Sequence, residues 1–514
     1  MADSTLFQDN RVKIMIVMLP ALALAMWIAS AIATDSYTIP YLVVGGIVTA
    51  MLFSIFLRTV RVEAAVMCLL LTGYLVGNRG FADLSPFKPL FPGELTMMII
   101  GTCLLMRFAL TRELPDLSGW MARTILVYSV LGALRLALDY QVYRVDAIRD
   151  AAMVYYSIYF FFGRELEVRT SSRALLEGCL KFAFVALVPI AIVERFAPEL
   201  IFNLTSSGGF NPLFQKDDLL TTFAAAAVFI LYTRPRMYRK NWFRVSLILF
   251  YLVFVVSGVG RASLAALAFG SVLLFVAGQK RFFVYPALGL MAGLILIASY
   301  AAGYGESQDS APAMFVDKMS SMVDVSGRQN YASQYGEEKA MNNEFRRQLW
   351  GSFVEDTNSS SPLFGRGFGY DFVSRFEATF QRGGWEGLRS AHNFFVTIYG
   401  RMGILGLFTL LAITAQVIAG GLRAALLVRE GRYPLADLGF WCGSWAILIS
   451  SAVGVVLEGP VGAIVFWTFL GVAVQCSKKT VALLATAAQE QEVEEPPVPT
   501  LPPGGRRSVP YGAA

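Results

Sequence analysis

The chain contains a single histidine, His392, which stands just before an apolar run and is followed by Asn393. A neutral imidazole has an ordinary pKa of about 6.5 and can take a proton from a hydroxyl group near neutral pH. A histidine at such a junction can also do no more than help Asn393 to cap the helix that follows. The residue types therefore allow two roles for His392, a general base or part of a helix cap.

Three arginines lie where an anion could be bound. Arg261 lies in a tight turn between two apolar runs, and Arg346 and Arg347 lie in a polar stretch, with Arg346 one helical turn before Trp350. A guanidinium group matches two phosphate oxygens at once. The alternatives are contact with lipid headgroups for Arg261, and solvation or pairing with Glu344 for Arg347.

The elements that must position these residues are membrane helices. Of the 514 residues 56% are hydrophobic and 16% charged, and the mean hydropathy is +0.55, which is typical of an integral membrane protein. Continuous apolar runs, without the alternation of a β-barrel, predict an all-α polytopic membrane protein of about 14 transmembrane helices. The runs lie near residues 14–33, 38–57, 62–78, 93–111, 119–138, 150–163, 175–195, 218–232, 243–258, 262–278, 282–302, 394–420, 435–457 and 460–476.

The basic residues predict the orientation of these helices. They cluster in alternate loops and not on one face, so the net charge of +6 favours a membrane topology signal over nucleic-acid binding. The clustered side should be cytoplasmic, with both termini there. We therefore predict about 11 spans in residues 1–302, an external loop domain in 303–391, about 3 spans in 392–476, and a disordered cytoplasmic tail in 477–514.

The external segment contains an amphipathic pattern and an aromatic, glycine-rich stretch. Met341, Phe345, Leu349 and Phe353 recur every four residues and predict a helix that lies on the membrane domain. The stretch 365–370 follows no predicted strand, so it does not fit a nucleotide-binding loop. We interpret it as a turn whose aromatic residues, including Tyr370, either stack on sugars or form a core. One histidine and scattered carboxylates predict no metal site.

Ionisable residues within or at the ends of the apolar runs allow a rival function. Arg135, Asp139, Lys181, Arg401 and Glu458 could form an ion relay in a transporter. A transporter of this kind usually shows matched broken helices in two halves, and we see no such symmetry.

Three segments together resemble the O-antigen ligase and O-antigen polymerase superfamily of bacterial membrane glycosyltransferases. The segment from His392-Asn393-Phe394-Phe395 to Gly403-Ile404-Leu405-Gly406-Leu407 resembles its "HN…GllGl" signature. Arg346 to Trp350, followed by 362–369, resembles "R…lW…PlfGvGfG", and 259–262 resembles its "SRg" turn. The resemblance covers roughly residues 240 to 460.

The resemblance implies an inverting, metal-independent transfer of glycan from undecaprenyl diphosphate at the periplasmic face of the inner membrane, with no cofactor. It implies that Arg261 and Arg346, supported by Arg347, bind the diphosphate, that His392 acts on the acceptor hydroxyl and that Asn393 positions the histidine or a sugar.

Two positions depart from the family pattern. Gly260 replaces the usual serine before the arginine, and Arg401 replaces a frequent glutamate nine residues after His392. We expect Arg401 to affect acceptor choice or to add a phosphate contact. The residues predicted to bind substrate are Arg347, Asn393, Arg401, Arg389, Trp350 and Tyr370.

The acceptor distinguishes three hypotheses. A polymerase uses another lipid-linked repeat unit, a ligase uses lipid A core, and a flippase or transporter of lipid-linked glycan uses none. The number of predicted spans and the large external segment favour the polymerase. Expected partners are the lipid-linked donor, a glycan or lipid-linked acceptor, membrane lipids, and a chain-length regulator or flippase.

Overall fold

The regular structure of the protein is helical wherever it is described. The computed structural model describes residues 62–84, 91–111, 116–167, 170–197, 214–257, 261–289, 291–292, 295, 317, 334–372 and 389–494. The α-helices are α1 (Val62–Ala82), α2 (Pro92–Thr111), α3 (Trp120–Tyr143), α4 (Val145–Tyr155), α5 (Tyr159–Leu166), α6 (Thr170–Phe196), α7 (Asp217–Thr233), α8 (Asn241–Ser257), α9 (Ala262–Val276), α10 (Gln334–Ser360), α11 (Phe394–Arg429), α12 (Leu435–Ser451) and α13 (Pro460–Glu494).

Six described helices are long and apolar enough to cross a membrane, namely α1, α3, α6, α11, α12 and α13. Shorter apolar helices are α8, α9 and the part Pro92–Leu104 of α2. The chain is thus a helical, multi-pass membrane protein, as predicted. The count of about 14 spans is not confirmed, because the runs 14–33 and 38–57 lie outside the described residues. The run 150–163 is divided among α4, a 3-10 turn (Tyr156–Ile158) and α5.

The helix predicted in the external segment is present as α10. Leu349 and Phe353 are fully buried and form a small core with Phe372 and Ala391, whereas Met341 is exposed. The apolar stripe therefore packs only in the second half of α10, where the helix contacts α11. Most of the predicted loop domain, including Trp385, lies outside the described residues.

The C-terminal helix extends beyond its apolar run. Helix α13 continues to Glu494, so residues 477–494 are helical where we predicted a disordered tail. The reason is composition, since alanine, leucine, glutamine and glutamate dominate 481–492 and all favour helix. The remaining residues of the predicted tail lie outside the described part of the chain.

Helix α7 forms the centre of the bundle and is buried along nearly its whole length between α8, α9 and α12. Its first residues come to the end of the bundle where α9 and α11 begin and α12 ends. We call this end the His392 end. Ion pairs join the loops at the opposite end, where Arg234 contacts both Glu177 and Asp437.

Candidate functional site

The segment before α11 positions His392. The side-chain oxygen of Asn393 accepts hydrogen bonds from the backbone N–H groups of Phe395 and Val396, at 3.0 and 3.2 Å, and so caps the helix. His392 takes no part in these hydrogen bonds and has φ of +53°, a left-handed conformation that is uncommon outside glycine. Capping is therefore the role of Asn393, and the imidazole is left for another purpose.

The imidazole of His392 lies among cationic groups. Burial, together with the positive charges of Arg346 and Lys216, lowers its pKa to about 4, while the charge of Asp218 acts in the opposite direction. The side chain is only partly exposed, and its charged neighbours come from two elements, α10 and the start of α7. His392 is therefore neutral near neutral pH and has a free lone pair for a proton.

The structure distinguishes the two adjacent arginines of α10. Arg346 is partly buried, and its Nη1 donates a hydrogen bond of 2.6 Å to the carbonyl oxygen of Val453. Its Nε is buried and has no hydrogen-bond partner among the described residues. Arg347 is about half exposed and is held by Glu344, with contacts of 2.9 and 2.6 Å. Arg346 thus faces His392, and the charge of Arg347 is already paired outside.

Arg261 approaches the same helix from the turn before α9. Its Nη2 donates a hydrogen bond of 2.7 Å to the side-chain oxygen of Asn343. Asn343 lies three residues before Arg346, so the two share a face of α10. Helix α10 therefore connects Arg261 and Arg346. The glycines beside Arg261 in the sequence, Gly258 and Gly260, lie outside the described residues.

The glycine-rich stretch forms backbone hydrogen bonds with α11. Gly403 interrupts that helix with φ of +64°. The stretch 361–372 fills the interruption: the N–H groups of Arg366 and Gly367 donate to the carbonyl oxygens of Gly400 and Arg401, at 2.7 and 3.0 Å. In return, the N–H of Ile404 donates to the carbonyl oxygen of Pro362 at 2.9 Å. The prediction of a turn is confirmed, and the turn shapes the first part of α11.

Arg401 requires a correction. We expected it to bind substrate, but its guanidinium is 1% exposed and forms an ion pair of 2.8 Å with Asp150. It also donates to the carbonyl oxygens of Gly367, Tyr370 and Arg389. The Nε of Arg401 has no hydrogen-bond partner among the described residues, but Nη1 and Nη2 are both bound within the protein and the side chain has almost no surface that a substrate could reach. The position that departs from the family pattern is therefore structural.

The other predicted substrate residues also have partners within the protein. Arg389 is paired with Asp146 and Asp150 of α4. The ring of Tyr370 lies 4.0 Å from the guanidinium carbon of Arg366 and packs on the α10 core. The indole N–H of Trp350 donates a hydrogen bond of 2.7 Å to the carbonyl oxygen of Ala391, so Trp350 contacts the residue next to His392.

Two charged residues near His392 were not predicted to belong to its site: Lys216 was not selected from the sequence, and Glu458 was considered only for an ion relay in a transporter. Lys216 precedes α7, and Glu458 lies in the turn between α12 and α13. Burial raises the pKa of Glu458 to about 7, against hydrogen bonds from Ser390 and Thr397 and the charges of Lys216 and Arg401. A lysine on the predicted external side is as unusual as Arg261 there, and this signal could have identified Lys216.

The arrangement combines a neutral base with cations that have capacity for an anion. Arg346 Nε is one of several buried donors without a hydrogen-bond partner among the described residues, and it is the one that lies beside His392, where a ligand or a water molecule could accept its hydrogen bond. Among the described residues, no group of three or more His, Cys, Asp or Glu side chains could hold a metal ion. The site can bind a phosphate-like anion and accept one proton beside it.

The fold and this site define a multi-pass helical membrane protein with a histidine and arginine centre at one end of its helices. Residues 246–411 match the family model described as O-antigen ligase, which supports the predicted resemblance to the O-antigen ligase and polymerase superfamily. The match includes Arg261, Arg346 and His392. No curated protein matches the chain.

Proposed function

We propose that this chain is a polysaccharide polymerase of the bacterial inner membrane. It transfers glycan from undecaprenyl diphosphate to the acceptor sugar of another lipid-linked repeat unit. The family of residues 246–411 supports a function of the O-antigen ligase or polymerase type. The observation that carries the proposal is the neutral, partly buried His392 beside Arg346, whose buried Nε has no partner among the described residues.

His392 takes the proton of the acceptor hydroxyl in this reaction. The hydroxyl oxygen attacks the anomeric carbon from the face opposite the diphosphate, a new glycosidic C–O bond forms, and the bond to the diphosphate breaks with its electron pair. The anomeric configuration is thereby inverted. A neutral imidazole is the form that this role needs, and the surrounding burial and positive charge keep it neutral.

Arg346 and Arg261 stabilise the negative charge that develops on the leaving diphosphate. Guanidinium groups can do so as fixed hydrogen-bond donors, in place of a divalent metal ion. Helix α10 supports both residues, since Arg261 contacts Asn343 on the face that carries Arg346. Arg347 takes no part in this proposal because Glu344 pairs with it at the surface.

The length of the external segment, 303–391, favours a polymerase, because a segment of this size is large enough to contact a long glycan acceptor. The second candidate is a ligase that transfers the glycan to lipid A core, and the description of the matching family favours it. In both cases the His392 end is periplasmic, the termini are cytoplasmic, and a chain-length regulator or flippase is a proposed partner.

The glycan profile of a strain that lacks the gene tests the proposal. The strain is complemented with wild type, His392→Asn, Arg346→Ala or Arg347→Ala, and secreted polysaccharide and lipopolysaccharide are separated on gels. Asparagine is chosen because it tolerates the left-handed backbone of residue 392 and removes the base.

Loss of long polymer, while single repeat units still reach lipid A core, identifies a polymerase, as does loss of secreted polysaccharide alone. Accumulation of polymer on the lipid carrier identifies a ligase. Arg347→Ala is the matched control and should keep the wild-type profile. Full activity of both His392→Asn and Arg346→Ala would overturn the site and favour a transporter.

A further inference from the structure

The backbone of His392 adopts a conformation that must be held by its surroundings. A side-chain-bearing residue at φ of +53° is strained by about 1 to 2 kcal/mol, and such strain persists only where neighbouring contacts impose it. The asparagine cap acts after His392, on Phe395 and Val396. On the other side of His392, contacts act on the residue before it, Ala391.

Ala391 is fully buried and is held on both of its peptide groups. Its carbonyl oxygen accepts the indole N–H of Trp350 at 2.7 Å, and its N–H donates to the hydroxyl oxygen of Thr397 at 3.1 Å. Thr397 is itself fully buried on the first turn of α11. Its hydroxyl accepts from Ala391 and needs an acceptor for its own hydrogen.

Glu458 supplies that acceptor. The Thr397 hydroxyl donates to Glu458 Oε1 at 2.8 Å, and Glu458 belongs to the turn that joins α12 and α13. A carboxylate fixes the direction of the Thr397 hydrogen and leaves the hydroxyl lone pairs for Ala391 N–H. The chain of contacts runs from Glu458 through Thr397 to Ala391 and so to the backbone of His392.

We infer that Thr397 and Glu458 are positioning residues, which hold His392 in its strained conformation and fix the direction of its imidazole. This inference rests on the proposed function of His392. The inference also gives a role to Glu458, a buried acid at the end of a membrane span. The proposed transfer reaction does not otherwise use this residue. Neither residue contacts the reacting atoms in this assignment.

Paired variants separate the hydrogen bonds from packing. Thr397→Val and Glu458→Leu remove the hydroxyl and the acceptor, whereas Thr397→Ser and Glu458→Gln keep them. Thr468→Val is the matched control, because Thr468 is also fully buried but donates only to Ile464 of its own helix, at 2.7 Å. Glycan product is measured in isolated membranes relative to the amount of folded protein.

We expect Thr397→Val and Glu458→Leu to lower product per folded protein by about tenfold to a hundredfold, because small misplacements of a catalytic group have effects of this size. Thr397→Ser, Glu458→Gln and Thr468→Val should stay within about threefold of wild type, since each keeps the hydrogen bonds to Ala391. The double variant Thr397→Val/Glu458→Leu should be no worse than the poorer single variant, because both break one chain of contacts. Normal product from Thr397→Val would overturn the inference.

A second measurement does not depend on turnover. Since His392 is the only histidine, the formation of N-carbethoxyhistidine by diethyl pyrocarbonate in the purified protein, carrying a tag without histidine, reports on it alone. The modification rate should change at least about threefold in Thr397→Val and Glu458→Leu and stay unchanged in Thr397→Ser and Thr468→Val, because only the first two release the backbone before His392. An unchanged rate in the first two overturns the positioning role.

The two measurements also separate this inference from the proposed function. Activity of His392→Asn together with altered modification in Thr397→Val would reject the proposed function and keep the positioning of His392. Inactive His392→Asn together with fully active, normally modified Thr397→Val would reject the positioning role alone.

Discussion

The properties of His392 follow from its neighbours more than from its own side chain. Burial and the charges of Arg346 and Lys216 hold its pKa at about 4, far below the ordinary value of about 6.5. A base with such a pKa is weak as a proton acceptor, but it is largely neutral above about pH 5. In the proposed transfer, the acceptor hydroxyl would then meet an imidazole that is free to take its proton.

The depressed pKa of His392 can be measured directly by diethyl pyrocarbonate, which reacts with neutral imidazole. The modification rate, corrected for reagent stability, should vary less than about twofold between pH 5 and pH 7.5, whereas an ordinary histidine would lose about thirtyfold at the lower pH. Removal of a neighbouring positive charge in Arg346→Ala should raise the apparent pKa. A wild-type profile with a midpoint near 6.5 would contradict the described environment.

Arg346 and Arg347 are adjacent residues of the same type, but we predict that only Arg346 contributes to the transfer reaction. Arg346→Ala removes a buried cation beside His392, and product should fall by about a hundredfold to a thousandfold, as for a lost oxyanion donor. Arg347→Ala removes an exposed pair with Glu344 and should change product by less than about twofold. Product per amount of protein in isolated membranes provides the comparison, and equal losses in both variants would refute the assignment.

Among the elements, the interrupted helix α11 has the largest influence on the site. Its first turn carries the residues around His392, and its interruption at Gly403 receives the stretch 361–372. A Cβ on Gly365 would lie 2.5 Å from the carbonyl carbon of Arg401, and one on Gly403 would lie 2.4 Å from that of Leu363. The two backbones can approach this closely only because both residues are glycine.

Substitution of Gly365 by alanine should destabilise the protein. The residue has φ of +73°, which costs about 1 to 2 kcal/mol for alanine, and the added Cβ displaces the backbone of α11 as well. Thermal unfolding in detergent, followed by the loss of monodisperse protein, should show a clearly lower Tm. Gly351→Ala is the control on the exposed side of α10, with no atom within 4 Å of the new Cβ, and should be neutral or stabilising by up to about 1 kcal/mol.

In the molecule as a whole, the two ends of the helices have different chemistry. The His392 end carries a partly buried base, Arg346 with an unpartnered Nε, and the acid Glu458. The opposite end pairs its charges closely: Asp437 contacts Arg173 and Arg234, and Asp116 contacts Arg164 at 2.7 Å. Residues from α5, α6 and α12, the C-terminal end of α7 and the segment before α3 thus meet at this end of the helices.

The paired charges at that end should contribute to stability and not to transfer. Asp437→Ala leaves Arg234, which is 5% exposed, with less compensation, and should destabilise the protein by about 3 to 5 kcal/mol. Glu430→Ala breaks the exposed pair with Arg432 and should cost at most about 1 kcal/mol. Thermal unfolding in detergent measures both, and product per folded protein should stay normal in both.

The helical, multi-pass character of the chain could be predicted from the sequence, and so could the place of His392 just before a membrane helix. Long apolar runs have few alternatives to helix in a bilayer, because their backbone hydrogen bonds must be satisfied internally. A lone histidine beside arginines and asparagine also stands out by residue type. The resemblance to the superfamily is supported by the family match over residues 246–411.

Three features of the site depend on the tertiary structure alone. They are the choice between Arg346 and Arg347, the burial of Arg401, and the contact of Glu458 with Thr397. The helical period of the sequence indicates that adjacent residues point in different directions, but it does not indicate which of them faces the partner helix. A charged residue in an apolar run can face a ligand or an internal partner such as Asp150, and the two cases look alike in sequence. Packing decides between them, because it brings together residues as far apart in the chain as Lys216, His392 and Glu458 and sets the dielectric and charge around each.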